Sequence, residues 1–284
     1  MTAMITRSPL SPAAIQVRRV VELPTNGTDE RVCVIGLPDD GVHPSVTEIL
    51  HTHDQSSISD GALVADVGRL IETGALSGQA EFEEVLTRIV TTAHPDVDAA
   101  WTAFYRNSLT ELVSGTSDFA PVHRRARSLI TGSSVLEVGS CFGFFALQCA
   151  EAGFDVTACD ITPGTVELLN RVAPRLDRDI DAVVGDALDL PFEDRSIDTV
   201  TLIHLLEHLR PVDALRAVDE ALRVARHRVV VAVPFEDEPS EHYGHLVRLT
   251  DADLHGWARY AGQPDAEVFS DHGGWLILSA GGAS

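Results

Sequence analysis

The sequence predicts an α/β fold, in which a mostly parallel sheet closes with an antiparallel hairpin and follows a small α+β module. From residue 133 onward, short runs of Val, Leu and Ile alternate with helical patterns, which is typical of parallel strands connected by helices. The last two strand-like runs, 265–270 and 275–279, are separated by a short turn only, which indicates a hairpin. Before residue 133 the alternation is absent.

The N-terminal part of the chain is predicted to begin with a disordered stretch over residues 1–12. Strand-like runs follow at 15–23 and 31–37, joined by an Asn-Gly turn signal. After a loop rich in Pro, His, Ser and Asp, helical spacing of apolar residues recurs in three segments: 62–72, 82–90 and 97–113. These patterns predict a small module over residues 1–75, a helical cap or linker over 76–132 and the core domain over 133–284.

The core domain is predicted to contain five buried strands before the hairpin, at 135–138, 156–159, 182–184, 199–202 and 229–233. Helices are predicted at 144–152, 165–173 and 251–260. Trp101, Phe104 and Tyr105 lie on one helical face before the core and are expected to be buried.

Composition restricts the function classes. The formal net charge of −22, with 21 Lys+Arg against 43 Asp+Glu and no lysine, disfavours nucleic acid and anionic membranes as partners. The absence of lysine also excludes Schiff-base chemistry. The four cysteines have no metal-binding spacing, and three are expected to be buried free thiols. No apolar stretch reaches about 18 residues, so we expect a cytoplasmic protein.

Three predicted strands end in residues suited to a nucleoside ligand. The first runs into a glycine-containing turn, Glu137-Val-Gly139-Ser140-Cys-Phe-Gly143, where glycine permits close approach of a ligand. Asp160 ends the second strand, where a carboxylate can accept hydrogen bonds from a ribose diol or can cap the next helix. Gly185-Asp186-Ala187 follows the third strand and is suited to an adenine. Their order at successive carboxyl ends favours one shared ligand site.

These motifs resemble those of the class I S-adenosylmethionine-dependent methyltransferases. The resemblance rests on Glu137-x-Gly139-x-x-x-Gly143, Asp160, Gly185-Asp186-Ala187 and Ser196-Ile197-Asp198, and it covers about half of the chain. It implies a Rossmann-like seven-stranded sheet and S-adenosyl-L-methionine as the cofactor. The cofactor-binding residues that it implies are Glu137, Gly139, Ser140, Gly143, Asp160, Ile161, Asp186, Ala187 and His204. The sequence departs from the family at Cys141, which replaces the usual middle glycine.

A narrower resemblance concerns the acceptor. The stretch 137–147, the long N-terminal extension and the lysine-free composition are similar to the mycofactocin-associated oligosaccharide methyltransferases of actinobacteria. This resemblance implies O-methylation of a sugar hydroxyl, so we expect a glycan or small-molecule acceptor. The alternatives are a carbon- or nitrogen-directed methyltransferase and a cofactor-binding module without turnover. A nicotinamide-dependent oxidoreductase is disfavoured, because Cys141 and Phe144 occupy two of its three glycine positions.

Catalytic residues are predicted after the fourth strand, where His204, Glu207 and His208 are spaced to share one face of a helical turn. One histidine, first His208 and then His204, is expected to deprotonate the acceptor. No metal ligand is assigned, but two alternatives remain open. The three residues could hold a divalent metal together with a residue such as His242 from the acidic loop after the fifth strand, which also contains Glu236 and His245. They could also serve only to fix the strand-to-helix connection.

Three other histidines are expected to have no site role. His43, His51 and His53 lie in the polar N-terminal loop, where we expect solvated side chains rather than metal ligands.

Overall fold

The computed structural model describes residues 15–24, 30–36 and 47–281. Predicted disorder over 1–12, the Asn-Gly turn and His43 lie outside these residues. The chain divides into two compact units, Met1–Asn107 and Ser108–Ser284. The three-part division at residues 75 and 132 stays a prediction.

The first unit contains a three-stranded sheet and helices. Its strands are β1 (Ile15–Arg19), β2 (Val32–Gly36) and β3 (Thr47–His51), and its helices are α1 (Asp60–Glu72), α2 (Gly78–Thr92) and the larger part of α3 (Val97–Ser114). The sheet order is β1-β3-β2, with β1 parallel and β2 antiparallel to β3. Trp101, Phe104 and Tyr105 are buried, as predicted.

The central strand β3 corrects the prediction of a loop between residues 37 and 62. Its Ile49 and Leu50 are buried in the sheet, although the flanking Pro, Ser and Asp residues indicate turns. The prediction that His51 and His53 are solvated is also wrong. Both are fully buried: His51 Nε2 lies 2.8 Å from Thr92 Oγ1, and His53 Nε2 lies 2.7 Å from Asp66 Oδ2. Burial lowers the pKa of His51 to about 4.

The second unit is built on a seven-stranded sheet, which confirms the predicted fold. Its strands are β4 (Ser134–Val138), β5 (Asp155–Asp160), β6 (Asp181–Val184), β7 (Ile197–Ile203), β8 (Ala225–Val233), β9 (Glu267–Ser270) and β10 (Gly274–Ser279). Their order is β6-β5-β4-β7-β8-β10-β9. The first five are parallel, and β10 is antiparallel to both β8 and β9. The predicted closing hairpin is therefore β9–β10.

Five helices accompany this sheet: α4 (Ala120–Ser128), α5 (Phe144–Glu151), α6 (Pro163–Val172), α7 (Pro211–Val224) and α8 (Asp251–Tyr260). Helix α7 was absent from the prediction. Proline at its first position suits a helix start, and its buried face includes Ala214, Ala217, Val218 and Ala221. In the part of the chain that the structure describes, no helix is long and apolar enough to cross a membrane.

The strand order places the site. From the central strand β4 the chain builds outward through β5 and β6, and it then returns to build β7 and β8 on the other side of β4. The crevice between the carboxyl ends of β4 and β7 is therefore a topological switch point, where open α/β sheets bind their ligands. All seven residues of β7 are buried, so this strand fixes the position of the turn that follows it.

At the opposite end of β7, Asp198 holds the start of β4. Its Oδ2 accepts the backbone N–H groups of Ser133 and Ser134 at 2.8 and 3.1 Å, and its Oδ1 lies 3.2 Å from Arg226 Nη1. These donors hold the pKa of Asp198 well below its usual range, with the Ser133 N–H as the largest cause. Gly132 has φ +84°, and a Cβ there would lie 2.5 Å from Asp198, so the turn requires glycine.

Replacement of Asp198 by alanine is expected to lower the free energy of unfolding by about 1–3 kcal/mol, because two backbone donors lose their acceptor. Urea unfolding at neutral pH measures this loss. Asp198→Asn keeps one carbonyl acceptor and should lose less. Equal stability of the alanine variant and the parent protein would contradict this role. Since the folded-state pKa is depressed, the stabilisation should be present above pH 4 and disappear on acidification.

Candidate active site

The loop between β4 and α5 is held close to its neighbours by two glycines. Gly139 has φ +73°, and a Cβ there would lie 2.7 Å from Leu205 Cδ1, in the turn that follows β7. Gly143 has φ +70°, and a Cβ there would overlap the side chain of Leu169 on α6. The N–H groups of Gly139 and Ser140 both donate to Cys159 O, at 2.8 and 3.1 Å. Glycine is therefore required at both ends of this loop.

Cys141 adopts φ +48°, a left-handed conformation that costs a non-glycine residue about 1–2 kcal/mol. Its side chain is exposed, whereas the other three cysteines are buried free thiols, as predicted. Its backbone N–H donates to Asp160 Oδ2 at 2.8 Å. The residue that departs from the family pattern thus keeps the backbone conformation that a glycine would supply.

Glu137 lies under this loop as a buried carboxyl group. Its Oε2 accepts the N–H of Ala146, in the first turn of α5, at 2.9 Å. The pKa of Glu137 is raised to about 8, mainly by burial and in smaller part by the nearby Asp160, with the Ala146 N–H opposing the shift. Glu137 therefore anchors the start of α5 beneath the predicted cofactor site.

Stability is expected to fall as the pH rises from about 4.5 to about 8, because folded Glu137 keeps a proton that the unfolded chain releases. Glu137→Gln should make this decline shallower, since the amide keeps the acceptor for the Ala146 N–H without a charge. Each pKa unit corresponds to about 1.4 kcal/mol, so the difference should reach a few kcal/mol at most. Urea unfolding between pH 5 and 9 measures it. Glu193→Gln, which replaces an exposed glutamate, is the control. If the stability of Glu137→Gln depended on pH as that of the parent protein does, the raised pKa of Glu137 would be contradicted.

Asp160 lies at the carboxyl end of β5 and is 9% exposed. Its Oδ2 accepts the Cys141 N–H, and its Oδ1 accepts the Thr162 N–H at 2.8 Å. The carboxylate thus connects the glycine loop to the start of α6, in line with the helix-capping alternative, and the ribose role stays a prediction. Oδ1 also accepts the Thr165 hydroxyl at 3.4 Å. Because each carboxylate oxygen has two acceptor positions, Oδ2 retains one for a ligand hydroxyl.

The neighbouring strand ends add apolar surface. Ile161 is 66% exposed, and Val184, the last residue of β6, is 50% exposed. Val184 is the register partner of Asp160, so both lie at one edge of the sheet. Asp186 Oδ1 accepts the Leu188 N–H at 2.9 Å, which fixes the turn beside Ala187. The edge thus combines carboxylates with exposed aliphatic side chains, a combination suited to an adenosyl group.

On the other side of the switch point, His204 directly follows β7. It adopts φ +50°, and its N–H donates to Ala232 O at 2.9 Å. Its Nδ1 lies 3.6 Å from Glu207 Oε1, and its ring makes an edge contact with exposed Phe119, with centroids 5.2 Å apart. Burial lowers the pKa of His204 to about 4, so the imidazole is neutral at pH 7.

Glu207 and His208 lie on a short 3₁₀ turn, Leu206–His208, instead of a longer helical turn. The Glu207 side chain is 1% exposed, and neither of its carboxyl oxygens has a hydrogen-bond partner among the described residues. Burial raises its pKa to about 8. His208 Nδ1 lies 3.2 Å from Gly244 O, in the loop that follows β8.

This loop brings His245 to the turn. The rings of His208 and His245 meet edge to face with centroids 4.9 Å apart, and His245 Nδ1 lies 2.7 Å from Glu236 Oε2. Glu207, His208 and His245 are the group that places potential metal-ligand atoms together within the described residues. This group agrees with the predicted alternative in Glu207, His208 and a histidine of the loop, which is His245 instead of the example His242, and it differs in not including His204. The sequence indicated the loop but not which of its histidines reaches the turn.

Phe119, the residue before α4, lies beside His204 and was not predicted. It precedes His204 by many residues and belongs to no sequence pattern associated with strand ends. An aromatic residue directly before Ala120-Pro121, at the start of a helix, was its one sequence signal.

Comparison with known proteins agrees with this geometry. Residues 136–233 match the family model described as a methyltransferase domain. The demethylmenaquinone methyltransferase of Paenarthrobacter aurescens is 36% identical over 109 residues, which cover 38% of this chain and 41% of that protein. The cypemycin N-terminal methyltransferase of a Streptomyces species is 40% identical over 73 residues, covering 26% and 29%. The chain thus spans less than half the length of these curated relatives.

Among solved structures, a SAM-dependent methyltransferase from Aquifex aeolicus superposes with a TM-score of 0.47 at 14% identity, covering 61% of this chain and 98% of that one. The segment from β4 to β8 thus matches the methyltransferase domain model in sequence. The cofactor of such a domain is S-adenosylmethionine, and the exposed aliphatic and carboxylate groups at the ends of β5 and β6 suit its adenosyl part.

Proposed function

We propose, from the methyltransferase domain that residues 136–233 form, that this chain transfers a methyl group from S-adenosylmethionine to a hydroxyl of a small-molecule or glycan acceptor. The observation that carries the proposal is the contact, at the switch point, between the glycine loop after β4 and the turn after β7. Gly139 of the glycine loop lies against Leu205, which stands between His204 and the Glu207–His208 turn. Cofactor and acceptor groups thus adjoin one crevice.

The cofactor supplies an electrophilic methyl group on a sulfonium. On this chain, Asp160 would accept hydrogen bonds from the ribose, and Asp186 with Ala187 would contact the adenine. Exposed Ile161 supports this assignment, because an aliphatic side chain beside the carboxylate offers the base an apolar surface. Glu137 and the glycine loop, with Ser140, would hold the backbone that approaches the methionine part.

The acceptor would enter beside the imidazoles. A neutral imidazole can take the proton of a hydroxyl, and a positioned base typically contributes about 10²–10⁴-fold to the rate. Burial lowers the pKa of His204 to about 4, which keeps the imidazole neutral at pH 7 but makes it a weak base, so His208 is preferred. The lone pair of His208 lies on Nε2 when Nδ1–H donates to Gly244 O. Exposed Phe119 and Phe235 supply apolar surface for an organic acceptor.

The acceptor class is the finer part of the proposal. Similarity of the loop sequence to the mycofactocin-associated enzymes supports a sugar hydroxyl, specifically one on the oligosaccharide of mycofactocin. The names of the relatives support a different small molecule, since several are demethylmenaquinone methyltransferases. The test must therefore also distinguish methylation of a hydroxyl from methylation of carbon or nitrogen.

The test is incubation of the purified chain with methyl-labelled S-adenosylmethionine and three acceptor pools: cell-extract glycans, mycofactocin-type oligosaccharides and demethylmenaquinone. Mass spectrometry then locates the label. We expect label on a hydroxyl oxygen of a glycan or other small molecule. Label on carbon or nitrogen would overturn the hydroxyl assignment. Binding of S-adenosylhomocysteine with no labelled product in any pool would indicate a binding module instead of an enzyme.

A further inference from the structure

A group of metal-ligating side chains lies beside the crevice. Glu207 and His208 come from the turn after β7, and His245 comes from the loop after β8. Each offers one ligand atom, and the three atoms lie within 4.8 Å of one another. Two imidazoles and one carboxylate form a common protein ligand set for divalent transition metals.

Glu207 provides an independent reason to expect an ion. Its side chain is 1% exposed, and both carboxyl oxygens lack a hydrogen-bond partner within the described residues. His204 Nδ1 is 3.6 Å from Glu207 Oε1, beyond good hydrogen-bond distance. A buried carboxyl without partners is costly, and a cation between it and the two histidines would satisfy it.

The histidines are oriented by groups behind them. His245 Nδ1 lies 2.7 Å from Glu236 Oε2, and His208 Nδ1 lies 3.2 Å from Gly244 O. With Nδ1–H donating to these oxygens, each ring carries its lone pair on Nε2. Histidines that bind metals are typically held in this way by a carboxylate or a backbone carbonyl.

The backbone also fixes the loop on the turn. The N–H of Leu246, next to His245, donates to Glu207 O at 2.8 Å. This hydrogen bond joins the residue that follows one ligand to the backbone of another. The three side chains are therefore brought together by the fold itself.

We propose that Glu207, His208 and His245 bind one divalent transition-metal ion, of the Zn²⁺ or Co²⁺ type, with Glu236 orienting His245. Three protein ligands leave a coordination position open. If the proposed methyl transfer holds, that position would receive an acceptor oxygen, and His208 would then be a ligand instead of the base.

The test uses the untagged full-length chain, stripped of metal by a chelator and titrated with Co²⁺ while its visible absorption is recorded. We expect one saturable site per chain. His245→Ala and Glu207→Gln should weaken it at least tenfold, and Glu236→Gln should weaken it by about 10–100-fold, the usual range for an outer partner. His242→Ala and His255→Ala are controls that should bind as the parent does. Circular dichroism checks that each variant is folded. If His245→Ala is unfolded, the conservative Glu207→Gln variant still tests the site.

Absence of saturable binding, or binding unchanged in both His245→Ala and Glu207→Gln, would overturn the site. These titrations contain no S-adenosylmethionine, so their outcome is separate from that of the methyl-transfer assay. If the ion binds as expected but the metal-free protein methylates at the full rate, the acceptor role is wrong while the proposed function stands.

Discussion

His208→Ala is expected to lower the turnover number about 10²–10⁴-fold while leaving the affinity for S-adenosylhomocysteine unchanged. The expected loss follows from the position of His208 on the turn after β7, on the proposed acceptor side of the crevice. Its Nδ1 lies at hydrogen-bond distance from Gly244 O, which leaves Nε2 for the acceptor or a cation. Loss of the imidazole removes either the base or a cation ligand. Both roles act on the acceptor, so cofactor binding should not change.

The measurement combines steady-state kinetics with calorimetric titration of S-adenosylhomocysteine. His255→Ala is the matched control, since His255 is an exposed histidine on α8 whose Nε2 lies 3.4 Å from Asp251 Oδ2. It should retain full activity. Full activity of His208→Ala would return His208 to a purely structural role in the connection. Weakened affinity of His208→Ala for S-adenosylhomocysteine would place His208 on the cofactor side of the crevice, in contradiction to the prediction.

Asp160→Ala is expected to weaken the binding of S-adenosylhomocysteine at least tenfold. A carboxylate that accepts ribose hydroxyls contributes charge-assisted hydrogen bonds of about 1.5–3 kcal/mol each, and one such bond accounts for a tenfold change. Because Asp160 also accepts the Cys141 and Thr162 N–H groups, its loss should loosen the glycine loop as well. The two effects act in the same direction.

The control for Asp160 lies on the same strand. Asp155 is an exposed residue at the opposite end of β5, so Asp155→Ala should bind the ligand as the parent does. Thermal unfolding of both variants separates a folding defect from a binding defect. Unchanged calorimetric affinity of a folded Asp160→Ala protein would refute the ribose assignment and leave Asp160 as a loop anchor.

The sheet of the second unit was predictable because its strands are short and apolar, and because they alternate with helical periods. Residues such as Val135, Val156 and Val229 are buried where the pattern requires them to be. Strand β3 was missed since its five residues lie among turn-forming neighbours. Its burial depends on pairing with β1 and β2, which no local pattern records.

Part of the candidate site was predictable because its residues lie at the ends of predictable strands. Asp160 is the last residue of β5 and Asp186 lies two residues after β6, so their common edge follows from the topology. His245 lies 37 positions after His208, and its approach depends on how the loop after β8 folds back. The hydrogen bond from Leu246 N–H to Glu207 O fixes that fold, and nothing in the local sequence indicates it.

The most direct test is a crystal structure of the chain with S-adenosylhomocysteine bound. The expected density places the ribose hydroxyls on the Asp160 carboxylate, the adenine beside Asp186 and Ala187, and the sulfur facing the turn that carries His204 and His208. A ligand bound elsewhere, or an empty crevice at saturating ligand with both aspartates unengaged, would contradict the assignment.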